Sequence, residues 1–250
     1  MLYLVGLGLH DEGDLSLKGL DALRKCGKVY LESYTSKFKG SLERLSELAG
    51  KEIMVLGRSG VEEDAVFIEE ALEGDVCLLV CGDPMAATTH ADLVLRARRK
   101  GVEVRVIHSS SIFSAIGECG LQLYKFGRTT TLAYPDGDYF PMSPYDVIRG
   151  NMESGLHTLV LLDVRSDEDR FMSVNEAVGL LLRMEGEKKE GVVTEDSMCL
   201  GVARLGGDAV IRYGKAGDLL NVDFRGPPHV LIIPGRLHFM EEEALKEYVI

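Results

Sequence analysis

Side-chain amides are scarce in this chain. Its 250 residues hold one glutamine, Gln122, and three asparagines, Asn151, Asn175 and Asn221. Amides are thermolabile, so their scarcity suits a heat-adapted protein. Cysteine is nearly as sparse. Cys26, Cys77, Cys81, Cys119 and Cys199 are odd in number and include no Cys-x-x-Cys pair, which argues against a disulfide framework and a zinc site. Cys77 and Cys81 flank an apolar run and read as small buried hydrophobes; a reducing, cytoplasmic setting suits such usage. No apolar stretch approaches the roughly 20 residues that span a bilayer, so no membrane partner is expected. Met1-Leu-Tyr-Leu-Val5 has no preceding positive charge and reads as a buried strand rather than a signal peptide. The phosphate-binding pattern Gly-x-x-x-x-Gly-Lys-Ser/Thr is missing, as is the Gly-x-Ser-x-Gly elbow of many hydrolases. The six histidines show no metal-ligand spacing, and no metal is expected.

What is present is a core and an acidic surface. Apolar residues make up 46% of the chain and charged ones 27%, the balance of a globular protein with a sizeable core. The net charge of −12 repels phosphate backbones, so no nucleic-acid partner is expected. The basic cluster Arg96, Arg98, Arg99 and Lys100 sits where a helix ends before Gly101, and there it offsets the helix dipole.

Strand-like and helix-like segments alternate from the start. Strands are predicted at Leu2–Gly8, Val29–Tyr34, Ile53–Leu56, Asp75–Cys81 and Glu103–Ile107. Helices are predicted after Ser16, from Leu42 to Gly50, from Val61 to Leu72 and from Thr88 to Lys100. This order argues for an α/β fold with a largely parallel sheet covered on both faces. A domain boundary is placed near the Ser109-Ser110-Ser111 run, giving an N-terminal α/β domain over 1–110 and a C-terminal one over 111–250. The second half has shorter strands and tighter turns: strands at Thr129–Tyr134, Thr158–Asp163, Met198–Arg204, Val210–Tyr213 and His229–Ile233. A helix opens at Ser143 with Pro144 in its first turn, another at the capping box Ser173-x-x-Glu176, and a last one covers Leu237–Tyr248. A mixed sheet is expected there.

Two glycine turns end strands of the first half, and ligands in open α/β sheets sit at such carboxyl ends. Gly6-Leu-Gly8 resembles the start of a dinucleotide fingerprint, and Glu32 ends the second strand where a ribose-binding acid would stand. The third glycine position is Asp11, however, which breaks the pattern. Gly82-Asp83-Pro84 is the sharper signal. Glycine lets the chain turn as it leaves a buried strand, proline fixes the exit, and the carboxylate between them is held at the ligand edge. His10 stands after the first turn where it would line the same edge, and Pro227-Pro228 positions His229 at the entrance to a strand.

The two turns together resemble the signature turns of tetrapyrrole-methylase-like methyltransferases, and among these the chain is similar to the archaeal form of the diphthine synthase family. The matching stretches run in order through almost the whole chain: Val5-Gly-Leu-Gly-Leu9, Tyr34-Thr-Ser36, Gly82-Asp-Pro-Met-Ala-Ala-Thr-Thr-His-Ala91, Ser111-Ile-Phe-Ser-Ala115, Tyr124-Lys-Phe-Gly127, Ala133-Tyr-Pro135, Gly155-Leu-His-Thr158, Asn175-Glu-Ala177, Pro227-Pro-His229 and Pro234-Gly235. The resemblance implies a homodimer of two αβα domains per subunit, with S-adenosylmethionine in the cleft between the domains. The acceptor it implies is translation elongation factor 2. There the amino group of a 3-amino-3-carboxypropyl histidine would be methylated three times to give diphthine, on the way to diphthamide. The cofactor contacts it implies are Leu9, Asp83, Ala86, Ser111, Ile112, Leu162, Leu205 and His229. Ala86 and Leu205 depart from relatives that hold other small or apolar residues there. Gly8-Leu-His-Asp11 departs from cobalamin-pathway members, which show Gly-Pro-Gly-Asp-Pro. Two alternatives stand beside this one: a tetrapyrrole methyltransferase of the same fold, and a non-catalytic module that binds S-adenosylmethionine. The sequence names no catalytic base.

Overall fold

Apolar five-residue strands and amphipathic helices alternate through the first half, as the sequence dictates. The computed structural model describes every residue except Thr35, Lys37 and Asp138, with backbone alone for Asp167. The middle of the Tyr34-Thr35-Ser36 stretch thus lies outside the described residues. Two units divide the chain, Met1–Ala115 and Ile116–Ile250.

The first unit runs β1 (Leu2–Gly6), α1 (Leu17–Lys25), β2 (Lys28–Glu32), α2 (Leu42–Ala49), β3 (Ile53–Leu56), α3 (Val66–Glu73), β4 (Val76–Val80), α4 (His90–Arg99), β5 (Val104–Ile107) and the single turn α5 (Ile112–Ala115). Its five strands are all parallel, in the order β3-β2-β4-β1-β5. Side chains alternate across the sheet. Tyr3, Val5, Val29, Leu31, Cys77 and Leu79 pack against α1 and α2, while Leu2, Leu4, Tyr30, Val76, Leu78 and Val80 pack against α3 and α4. Neighbouring β1 and β4 therefore send the chain to opposite faces, which makes the space beyond their carboxyl ends the switch point of the sheet.

Local chemistry sets the helix ends. The Ser16 hydroxyl accepts from the Gly19 N–H at the start of α1, and Gly50, with φ of 70°, closes α2. The helix expected over Val61–Leu72 is broken instead. Gly60–Asp64 forms one wide turn, Ala65 adopts a left-handed φ of 42°, and α3 begins at Val66. The Ala65 N–H donates to the Gly60 carbonyl, five residues back. Of the basic cluster, Arg96 donates to the carbonyls of Glu62 and Glu63, so part of its charge closes this wide turn.

The second unit runs β6 (Thr130–Leu132), α6 (Ser143–Glu153), β7 (Thr158–Leu162), a small hairpin of β8 (Val164–Arg165) and β9 (Arg170–Phe171), α7 (Val174–Lys188), β10 (Met198–Ala203), β11 (Val210–Lys215), α8 (Ala216–Leu219), β12 (His229–Ile233) and α9 (Phe239–Leu245). The main sheet has the order β11-β10-β12-β7-β6. It is mixed: β12 runs antiparallel to β10 and β7, and only β6 runs parallel to β7. The capping box of Ser173 and Glu176 opens α7. The cap of α6 falls one residue early, at Met142, with the proline still in the first turn. No helix among the described residues is long and apolar enough to cross a membrane.

A buried carboxylate ties α9 to the start of this unit. Glu241 accepts from the backbone N–H groups of Gln122 and His238, from His157 Nε2 at 3.0 Å and from the Lys125 ammonium. Burial pushes its pKa up, but these donors outweigh it and hold the carboxyl at about 2, below the ordinary 4.5. A depressed carboxylate stabilises the fold above its unfolded value and loses that contribution as the pH falls through its folded one. Glu241→Gln is expected to cost about 2 kcal/mol at pH 7, because it removes the counter-charge of the half-buried Lys125 ammonium and an acceptor for hydrogen bonds to a charged group. Urea unfolding at stepped pH checks this: the gap between wild type and variant should close between pH 4.5 and about 2.

Candidate functional site

Three strand exits meet at the switch point of the first sheet. A Cβ on Gly6 would lie 2.5 Å from the Gly82 carbonyl oxygen, 2.7 Å from Ser109 Cβ and 3.0 Å from Pro84 Cδ. Only glycine permits β1, β4 and β5 to release the chain so close together. Gly8 and Gly82 then exchange backbone hydrogen bonds of 3.2 and 2.7 Å, so the two glycine turns of the sequence are one structural feature.

The Gly8 turn is closed from within. Asp14 Oδ2 accepts from the N–H groups of Leu9 at 3.0 Å and His10 at 2.8 Å. Those are the groups that would cradle a pyrophosphate in a dinucleotide site, and here a carboxylate of the chain itself occupies them. Glu32 is also withdrawn: it is 1% exposed and accepts from the Tyr34 N–H. The dinucleotide reading therefore fails on geometry as well as on its missing third glycine.

The Gly82-Asp83-Pro84 turn is held from two sides. Asp83 Oδ1 accepts from the Met85 N–H at 2.9 Å, and Oδ2 accepts from the Ser109 N–H at 3.0 Å and from His108 Nδ1 at 2.9 Å. Burial pushes the Asp83 carboxyl up; the two backbone donors and the imidazole bring it below the usual carboxylate range. With about four acceptor sites on a carboxylate, three are taken within the fold. On the other side the Pro84 carbonyl accepts from Thr88 Oγ1 at 3.1 Å and His90 Nδ1 at 2.9 Å. Between them Ala87 sits at a left-handed φ of 56°, a strained conformation for alanine that these bonds hold in place.

The structure brings Leu9, Asp83, Ala86, Ser111 and Ile112 to this one edge, since each follows the carboxyl end of β1, β4 or β5. His10 lies on the same turn, its ring 3.9 Å from Asp11. Leu162, Leu205 and His229 share one edge of the second sheet: β12 begins at His229, opposite Ala203 of β10, while its next residue, Val230, pairs with Leu161 of β7. His229 Nδ1 accepts from the Val174 N–H and Nε2 donates to the Gly226 carbonyl. Because Nδ1 accepts, it carries no proton, and the ring is neutral with both nitrogens committed; burial pushes its pKa down, in the same direction. Beside it the buried Arg204 donates to the carbonyls of Phe224 and Gly226 and to the Asp208 side chain. Arg204, Asp14, His90 and His108 were not singled out by the sequence for these roles. Each acts across a fold-made contact, and only the position of Asp14 in the turn after Leu9 offered a local signal.

Residues 1–200 match the family of tetrapyrrole (corrin/porphyrin) methylases. A diphthine synthase of Methanocaldococcus jannaschii is 51% identical over 251 residues, spanning 98% of each chain, and one of Methanococcus maripaludis is 50% identical over 249, again 98% of each. The chain belongs to the diphthine synthase branch of this methylase family. Solved structures agree. A diphthine synthase of Entamoeba histolytica superimposes with a TM-score of 0.94 at 40% identity, over all of this chain and 98% of that one. Another diphthine synthase gives 0.89 at 39%, over 99% and 95%. The expected α/β class, with a parallel first sheet and a mixed second, is the fold of these enzymes, and the chain is a methyltransferase of their kind. Among the described residues no cluster of His, Cys, Asp or Glu could hold a metal ion.

Asp83→Ala strands the Met85 and Ser109 N–H groups. It is expected to lower stability by roughly 1–3 kcal/mol and to speed amide exchange at those two positions before any other. Hydrogen exchange read residue by residue checks this.

Proposed function

We propose that the chain takes a methyl group from S-adenosylmethionine and places it on the amino group of a 3-amino-3-carboxypropyl histidine in translation elongation factor 2, repeating the transfer until the nitrogen carries three methyls. The observation that carries this reading is the meeting of the β1, β4 and β5 exits around Gly82-Asp83-Pro84, in a chain 51% identical to a diphthine synthase along nearly its full length. When bound, the donor supplies a methyl group already activated on a sulfonium.

The residues suit such a donor better than a phosphorylated nucleotide. The turn amides of Leu9 and His10 face Asp14, so no anion cradle is offered. Asp83 keeps an acceptor site for a hydroxyl or ammonium group. In the proposed set, Leu9, Ala86, Ile112, Leu162 and Leu205 are the apolar contacts to a base. Ser111 and His229 complete the proposed set. The chain's own task is to align donor and acceptor and to exclude water. It must also receive protons, because an alkyl amine with a pKa of roughly 10 is charged at neutral pH and cannot attack. A thrice-methylated nitrogen has no proton left to lose, so the reaction stops by chemistry. We further place the enzyme in the cytoplasm, working as a homodimer.

Purified enzyme incubated with donor labelled in its methyl group should label elongation factor 2 that bears the precursor side chain, and mass spectrometry should find a gain of three methyls. Turnover of a tetrapyrrole without a protein acceptor would favour the small-molecule reading. Donor bound by calorimetry but transferred to nothing would favour a binding module. Asp83→Ala should weaken donor binding about tenfold, the scale of one charge-assisted hydrogen bond.

A further inference from the structure

We infer that His108 is the group that takes the proton from the acceptor amine, with Asp83 orienting it; the inference rests on the methyl-transfer reading above. β5 ends at Ile107, so His108 is the first residue past the carboxyl end of a strand at the ligand edge. Its Nδ1 lies 2.9 Å from Asp83 Oδ2. A carboxylate oxygen of Asp83 accepts, so Nδ1 donates, and in the neutral ring Nε2 carries the lone pair. Nε2 makes no hydrogen bond among the described residues, and the side chain is 70% exposed. The result is an imidazole fixed at one nitrogen and open at the other, the arrangement a general base requires.

The other histidines lack this combination. His90 and His157 are fully buried. His229 has both nitrogens engaged. His238 caps α9 in the second unit through Nδ1. His10 shares the edge, but its ring is 3.9 Å from the Asp11 carboxylate, beyond a hydrogen bond that would orient it.

A purely structural role explains the pair poorly. The backbone N–H groups of Met85 and Ser109 keep Asp83 satisfied without the imidazole, and a largely exposed ring adds little burial.

The chemistry closes in each round. An N–H bond of the ammonium breaks and its proton moves to His108 Nε2, leaving the electron pair on nitrogen. That pair forms the new N–C bond while the donor's C–S bond breaks and its electrons stay on sulfur. The imidazolium then gives its proton to solvent through its exposed face, and the base is ready for the next round.

The decisive variant is His108→Asn. Its side-chain amide can still donate to Asp83 Oδ2, but it has no basic nitrogen where Nε2 stood. In single turnover with labelled donor and modified elongation factor, the transfer rate should fall by about 100-fold or more. Donor affinity by calorimetry should stay within about threefold of wild type. In His108→Ala, added imidazole should restore transfer, and it should leave the wild type unchanged. Transfer by His108→Asn within about threefold of wild type, or a loss matched by weakened donor binding, would overturn the assignment. Active wild type beside an active variant sinks only this inference; wild type that binds the donor and methylates nothing sinks the functional reading and His108's role with it.

Discussion

Everything at the candidate site depends on how closely three parallel strands release the chain. Gly6 sets that distance: any side chain there would collide with the Gly82 carbonyl, Ser109 and Pro84. Because the exits of β4 and β5 are brought within hydrogen-bond range of each other, the Asp83 carboxylate can gather Met85, Ser109 and His108. Because β1 and β4 exit together, Gly8 and Gly82 can pair across the gap. A glycine in a strand weakens it in isolation. Here it is the condition for assembling a polar site on a sheet whose interior is largely apolar.

Much of the frame was legible in the sequence because its causes are local. Ser16, Gly50 and the Ser173–Glu176 box act within four residues of the helix ends they set, and β3 and β12 run between the residues that hydrophobicity alone assigns. The break at Ala65 was not legible, because alanine carries no preference for a left-handed φ and the wide turn that forces it is stabilised from α4 by Arg96. The hairpin of β8 and β9 has two residues per strand, too few for a periodic pattern.

At the site, the same division holds. Gly82-Asp83-Pro84 announces a turn, and its neighbours Met85 to His90 give the family. What Asp83 does with its carboxylate is decided by residues 25 and 26 positions away, which no spacing rule connects. The sequence therefore located the carboxylate at the ligand edge and gave no sign of its bonds within the fold. The structure answers that most of its acceptor capacity is spent within the fold, so its hold on a ligand is limited and its hold on the neighbouring loop is extensive.

That allocation bears on how one edge can serve both binding and proton transfer. Asp83 is 8% exposed, kept ionised by donors that do not leave during a reaction. His108 projects from the same pair into solvent. A buried anion with fixed donors is a poor acceptor of a travelling proton, since protonation would remove the charge that strengthens its bonds to two backbone amides. An exposed imidazole tethered to that anion keeps its Nδ1 bond in both charge states and can exchange protons with water directly. The carboxylate is thus better suited to holding the ring and the turn in place than to the chemistry itself, and the burial difference between two residues 2.9 Å apart is what separates the two tasks.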